Sequence, residues 1–295
     1  MEIKSVGWIG TGVMGKSMCS HLIKAGYPAF VFNRTRTKAE ELLKMGAAWC
    51  GSPAEVAGKS DIVFSIVGYP MDVEEIYFGQ QGILSASPRC TTVVDMTTSE
   101  PRLAQTIFEK AAQKSIHALD APVSGGDIGA REGKLAIMVG GEAAVFEAVL
   151  PLFQIMGENI ALMGTAGAGQ HTKMANQIKI AATMIGVVES LLYGYKAGLD
   201  LNKLLDVIGK GAAGSWSLNN LGRRIANGDF DPGFFIKHFV KDMGIALAEA
   251  RAMQLALPGL ALAHQFYVSA MALGYENLGT QALYKVFAKM SGVKV

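Results

Sequence analysis

A chain of 295 residues that is 50% hydrophobic and 18% charged can bury a sizeable core and has room for two domains. Its net charge of +2 sets up no field that would draw nucleic acid or an acidic membrane surface, so neither is expected as a partner. The three cysteines (Cys19, Cys50 and Cys90) lie far apart without metal-ligand spacing, and the first residues enter a strand with no signal-peptide architecture. A reducing, cytoplasmic setting with no bound metal is expected.

Val6-Gly7-Trp8-Ile9 reads as a short buried strand, and Gly10-Thr11-Gly12-Val13-Met14-Gly15 follows it at once. A helical pattern over 14–25 closes at Gly26. In this context Gly10 permits a tight turn and Gly12 lets the backbone approach a pyrophosphate. Gly15 lets the helix pack close to the strand, and the helix offers its unpaired N–H groups to phosphate oxygens. A lone pattern of this kind among 35 glycines is weak, and a plain glycine turn in another α/β fold is the competing reading; the strand before it and the helix after it favour the dinucleotide.

Ala29-Phe30-Val31-Phe32 reads as the second strand, and Asn33-Arg34-Thr35-Arg36 follows. An NAD-binding unit places an acid near here to accept from the ribose 2′-hydroxyl. An acid would repel a 2′-phosphate, whereas a guanidinium pairs with it, so the segment predicts NADP with NAD as the weaker cofactor. A solvated basic turn is the alternative. A helix over 37–45 comes next, and Ser52 with Glu55 forms a capping box for another. Strands are expected over 62–67, 92–96, 116–121, 135–139 and 159–163, with helices over 71–77, 100–114 and 146–156. This alternation describes a doubly wound parallel sheet.

Beyond Gly164 only helical periodicity remains, over 170–197, 201–209, 216–227, 236–253, 260–273 and 280–291. The expected division is a Rossmann domain over 1–163 and an all-α domain over 164–295, joined by the long helix. Between Arg251 and Glu276 there is no charged side chain, but Pro258-Gly259, His264 and Gln265 interrupt the run, which reads as a buried helix pair and not a membrane span.

Two segments offer chemistry beyond the nucleotide. Ser124-Gly125-Gly126 follows Asp120 at the end of a strand, where a hydroxyl and bare backbone N–H groups suit a carboxylate; a simple turn is equally compatible with the spacing. Lys173 falls in the first turn of the long helix with Asn176 and Gln177 on the same face, expected to look into the crevice between domains. A cation there opposes the helix dipole, although an exposed lysine is the commoner fate. His171 is not singled out by its spacing. Lys241-Asp242 fits either a crevice or an ordinary helix surface.

The glycine turn, the segment 120–126, the segment 167–177 and Lys241-Asp242, in this order, resemble the β-hydroxyacid dehydrogenase family over essentially the whole chain. The resemblance implies a homodimer or homotetramer and a small carboxylate-bearing substrate. It implies that Ser124, Gly125 and Gly126 hold the substrate carboxylate, with Lys241 and Asp242 nearby, and that Lys173 is the catalytic lysine. Pro70 and Thr98 match positions lining the nicotinamide ribose, and Lys241 is placed against the cofactor as well. Many members carry the active-site amide four residues after the lysine as Asn. Here that position is Gln177, and the Lys-x-x-Asn-Gln order looks like the tartronate semialdehyde reductase branch, which keeps Asn176 as the partner of Lys173. Phe234 and Trp216 are expected either to wall the pocket or to pack in the core. An imine reductase and a non-catalytic nucleotide sensor share this architecture; the Ser-Gly-Gly segment and Lys173 argue against both.

Overall fold

The computed structural model describes residues 3–85 and 88–293. Contacts divide the chain into a first unit, Met1–Lys173, and a second, Met174–Val295. The strands of the first unit are β1 (Val6–Ile9), β2 (Ala29–Phe32), β3 (Ala48–Trp49), β4 (Ile62–Ser65), β5 (Thr92–Asp95), β6 (His117–Asp120), β7 (Val123–Ser124), β8 (Leu135–Gly140) and β9 (Gly157–Gly164). Its helices are α1 (Val13–Lys24), α2 (Glu40–Lys44), α3 (Pro53–Lys59), α4 (Pro70–Phe78), α5 (Pro101–Ala112), α6 (Gly126–Glu132) and α7 (Ala143–Met156).

The sheet order is β3-β2-β1-β4-β5-β6-β8-β7, with β9 paired to β8. From β3 through β6 every pairing is parallel, as the alternation predicts. The apolar run at 135–139 is a strand, but it lies antiparallel to both β6 and β7. An antiparallel neighbour needs no crossover helix over a sheet face, and an apolar run reads the same in either direction. Strand β7 and helix α6 were not evident from periodicity.

Period-two alternation sends successive side chains to opposite faces. Val6, Trp8, Ile62, Phe64 and Val94 join Met18, Leu22 and Phe153 of α1 and α7 in one core. Ile9, Val63 and Val93 join Val56, Ile76 and Ile107 of α3, α4 and α5 in the other. Each such fully buried side chain contributes roughly 1.5–3 kcal/mol. At α3, Ser52 accepts from Glu55 N as expected, but Glu55 Oε2 accepts from Gly51 N, one residue further back than a standard capping box.

Helix α8 (Ala168–Lys196) opens in the first unit and runs into the second, followed by α9 (Leu201–Ile208), α10 (Arg223–Ala226), α11 (Ile236–Ala252), α12 (Pro258–Ala272) and α13 (Leu283–Met290). Met184, Val188 and Leu191 of α8 pack with Phe239, Met243, Tyr267 and Phe287. The helix expected over 216–227 is present over 216–226, but its first part, Ser217–Gly222, is wound as a π-helix that continues into α10, with Gly222 close against Leu205. The uncharged stretch after Arg251 holds one helix and not a buried pair. That helix, α12, has 15 residues, fewer than the ~20 that cross a bilayer, and leaves Leu262 and Met271 exposed. Among the described helices α8 alone is long and apolar enough for that by length and composition, a test that the core helix of a soluble protein also passes.

Two buried carboxylates stand at the carboxyl ends of β5 and β6. Asp120 Oδ1 accepts from Gly167 N (2.7 Å) and its Oδ2 from Gln170 N (2.8 Å), so it caps the start of α8. Burial pushes its carboxyl upward while these N–H groups pull it back. Asp95 Oδ1 accepts from Ser65 Oγ (2.9 Å) and Thr97 N (3.2 Å). Burial dominates there and pushes its carboxyl up to about 6, from 3.8. A shift of this size corresponds to about 3 kcal/mol. The folded state then binds the proton more tightly than the unfolded chain, so this group's contribution to stability falls as pH rises from about 4 to 6 and is level above. Asp95→Asn keeps the acceptor for Ser65 and Thr97 and removes the titration. Thermal melts should show the variant gaining on the wild type by several degrees between pH 4.5 and 7.5; a difference independent of pH would contradict the assignment.

Candidate active site

In a parallel sheet the loops that follow the strands share one edge. That edge here carries the glycine turn after β1, Asn33–Arg36 after β2, Pro70 after β4, Thr98 after β5 and Ser124–Gly126 after β6, the region where open α/β sheets bind ligands.

The three glycines of the turn answer to different demands. At Gly10, φ is 95°, and an added Cβ would lie 2.0 Å from the Ile66 carbonyl oxygen. At Gly15 an added Cβ would lie 2.0 Å from the Gly10 carbonyl oxygen. These two are imposed by the fold. At Gly12 a Cβ would meet no described atom within 4 Å, so nothing within the protein requires glycine there. Gly12 is also the N-cap of α1, without a capping side chain among the described residues and with no acid in the first turn. The first N–H groups of α1 are therefore left for an outside acceptor. Thr11 Oγ1 is buried and has no hydrogen-bond partner among the described residues. The open space at Gly12, the uncapped N–H groups and the orphaned hydroxyl together fit a dinucleotide pyrophosphate.

Asn33 does more than replace an acid. Its Oδ1 accepts from Thr11 N (2.9 Å) and its Nδ2 donates to the Thr35 carbonyl (2.9 Å), tying the glycine turn to the turn after β2. Arg34, 87% exposed, donates from Nη1 to Asp72 Oδ1 at 3.0 Å. The Arg36 guanidinium lies 5.4 Å from the Trp49 ring centroid. Both cations are at the surface. Pro70 opens α4, and Asp72 at its third position accepts from Tyr69 N.

Ser124, half-buried, ends β7, and Gly125 and Gly126 follow with φ of 130° and 63°, backbone that side chains other than glycine adopt at a cost. Thr98 sits between two anchored neighbours. Thr97 N donates to Asp95, Thr97 Oγ1 accepts from Val67 N (3.0 Å), and Ser99 N donates to Gln170 Oε1 (2.9 Å).

Lys173 is 6% exposed, which removes the alternative of a surface lysine. Asn176, one turn further, donates from Nδ2 to Gln177 Oε1 (2.7 Å), and Gln177 Nε2 donates to Asp242 Oδ2 (2.7 Å). The remaining Asp242 oxygen lies 2.8 Å from Lys241 Nζ, a charge contact without the alignment of a hydrogen bond. Side-chain exposures of 12% for Lys241 and 2% for Asp242 exclude an ordinary surface pair. The second unit thus links Asn176, Gln177, Asp242 and Lys241 into one run, with Gln177 and Asp242 buried at its centre and the outer two half-buried. Such a network is stable only when every member is paired. Phe234 packs edge-on to Phe239 at 5.8 Å, in the core, whereas Trp216 is 58% exposed. Sequence reasoning missed Gln170 and the capping role of Asp120.

Residues 5–164 match the family model described as the NAD binding domain of 6-phosphogluconate dehydrogenase. Residues 167–287 match the one described as NAD-binding of NADP-dependent 3-hydroxyisobutyrate dehydrogenase. An uncharacterized oxidoreductase of Bacillus subtilis is 54% identical over 97% of this chain and 99% of its own length. The 2-hydroxy-3-oxopropionate reductase of Escherichia coli is 39% identical over 98% of this chain and 99% of its own. The solved structure of Mycobacterium tuberculosis 3-hydroxyisobutyrate dehydrogenase with L-serine superposes with a TM-score of 0.87 at 28% identity, covering 97% of this chain and 99% of that one.

The unequal roles of the glycines are separable by mutation. Gly10→Ala should destabilise the fold by more than about 3 kcal/mol, through a clash with backbone in a left-handed turn. Gly12→Ala should melt within a few degrees of the wild type yet lose at least about tenfold in nucleotide affinity, read by fluorescence titration. Equal losses of stability in the two variants would contradict this division.

Proposed function

The chain belongs to the β-hydroxyacid dehydrogenase family, and on that premise we propose that it reduces a small carboxylate-bearing semialdehyde with NADPH, or oxidises the matching β-hydroxy acid in reverse. It is an oxidoreductase that uses a nicotinamide cofactor; the substrate class and the preference for NADP are our reading. The observation that carries it is a lysine almost wholly removed from solvent near the start of α8, one helical turn ahead of an asparagine whose amide is anchored.

Gly10 to Gly15 would hold the pyrophosphate, Asn33 to Arg36 the adenosine end, and Pro70, Thr98 and Lys241 the nicotinamide ribose. When bound, the nicotinamide supplies the hydride for the carbonyl carbon. Ser124 and the backbone N–H groups of Gly125 and Gly126 hold the substrate carboxylate, with Lys241 and Asp242 setting the charge beside it. Lys173 Nζ gives its proton to the carbonyl oxygen as the C=O electron pair moves onto it, so the product leaves as the alcohol. Negative charge grows on that oxygen only during the reaction, so a fixed cation stabilises the transition state more than the ground state. Asn176 orients the lysine or the substrate. The absence of an acid at position 33 and the two surface guanidiniums support NADP over NAD.

The exposed apolar side chains of the second unit, among them Tyr193, Val207, Leu262 and Met271, support a homodimer or homotetramer. Light scattering of the purified protein should give twice or four times the chain mass.

Lys173→Ala should lower kcat by about 10²–10⁴, the range typical of general acid–base groups, while NADPH still binds. The assay panel is glyoxylate, succinic semialdehyde, 2-hydroxy-3-oxopropionate and methylmalonate semialdehyde. Turnover near normal in the variant would refute the assignment. Replacing Arg34 and Arg36 together by Ala should raise KM for NADPH about tenfold and leave that for NADH little changed; a wild type that prefers NADH would overturn the NADP reading.

A further inference from the structure

Gln170 lies in the first turn of α8 and is wholly buried, and its side-chain oxygen, side-chain nitrogen and backbone N–H each have a partner. Its Nε2 donates to the Thr97 carbonyl (2.7 Å), its Oε1 accepts from Ser99 N (2.9 Å), and its own backbone N–H donates to Asp120 Oδ2 (2.8 Å). One side-chain amide therefore grips the backbone on both sides of Thr98, across more than seventy residues of chain. Thr97 is held independently by Asp95 and by Val67 N. Thr98, half-buried, therefore lies between two backbone positions that are both bonded to the first turn of α8.

Lys173 follows Gln170 by three residues on the same helix, which places it on the same face less than one turn away. We propose that Gln170 is a positioning residue, a latch that sets the register between the Thr98 turn and the helix that carries Lys173. This rests on the reading of Lys173 as proton donor and of Thr98 as a residue beside the nicotinamide ribose. Only a side chain with a donor and an acceptor side by side makes both bonds. Leucine leaves a buried carbonyl and a buried N–H unpaired. An ionised carboxylate accepts from Ser99 but opposes the Thr97 carbonyl, whereas a protonated one restores the amide pattern.

Wild type, Gln170→Leu, Gln170→Glu and Lys173→Ala are compared for kcat, semialdehyde KM, NADPH dissociation constant, melting temperature and the pH dependence of kcat. For Gln170→Leu, kcat should fall about 10–100-fold, as expected when reacting groups are displaced by about an ångström. Its nucleotide dissociation constant should stay within about fivefold, because the glycine turn is untouched. For Gln170→Glu, the ratio of its kcat to that of the wild type should be highest near pH 5.5 and fall as pH rises. Asp95 and Asp120, both buried beside the latch, raise the pH at which the new carboxyl ionises. A merely structural residue would lower the melting temperature without a pH-dependent ratio. The proposal is overturned if Gln170→Leu keeps kcat within threefold of the wild type, or if the Gln170→Glu ratio is flat with pH. The glutamate variant decides the matter should the leucine variant fail to fold. If Lys173→Ala turns over normally, the functional reading falls and the latch with it. An inactive Lys173→Ala beside a normal Gln170→Leu overturns the latch alone.

Discussion

The carboxylate of Asp120, taken out of water at the end of β6, is the contact on which the rest of the active-site edge depends. A buried anion is costly unless its oxygens are met, and the N–H groups opening α8 meet them. The helix start gains an acceptor for donors that it cannot satisfy itself. The approach is so close that neither Gly140 nor Gly169 has room for a Cβ: the nearest atoms would be Asp120 Oδ1 at 2.5 Å and the Met138 carbonyl oxygen at 2.4 Å. Sheet and helix are thereby fixed to each other at the residues from which Gln170 and Lys173 are counted.

The same economy governs the other end of the edge. In the glycine turn, two positions are set by backbone crowding and one by space that the protein leaves open. Asn33 spans two turns with a single amide, whereas Gln170 ties the one segment around Thr98 to the start of α8. Both are uncharged side chains with a donor and an acceptor. Neutral amides do this without adding a further charge to an edge that already buries the carboxyls of Asp95 and Asp120.

Most of the fold was legible in the sequence because its determinants are local. Apolar runs, a capping serine at position 52 and the glycine turn mark elements without reference to anything distant. The direction of β8 was not legible, since it depends on which neighbour the strand finds, and neither β7 nor α6 is long enough to show a period. The candidate site divides in the same way. Lys173, Asn176 and Ser124 stood out through the family resemblance, since spacing alone left Ser124 as readily a turn and Lys173 as readily a surface lysine. The work of Asn33 and Gln170 was hidden, because one partner of Asn33 lies 22 residues away and both partners of the Gln170 amide lie 71 to 73 away. The bonds that the Asn33 amide makes in place of an acid carry no sequence signature.

Under the proposed NADP assignment, the amide of Asn33 also ties nucleotide choice to backbone shape. An aspartate there would still accept from Thr11 N, but it would set a negative oxygen against the Thr35 carbonyl, where a donor now stands. Acquiring the acid that favours a free ribose hydroxyl would thus loosen the very bend that presents Arg34 and Arg36. A lineage moving between the two coenzymes would have to rebuild that bend as well as exchange a charge, and such a crossing needs several coordinated steps.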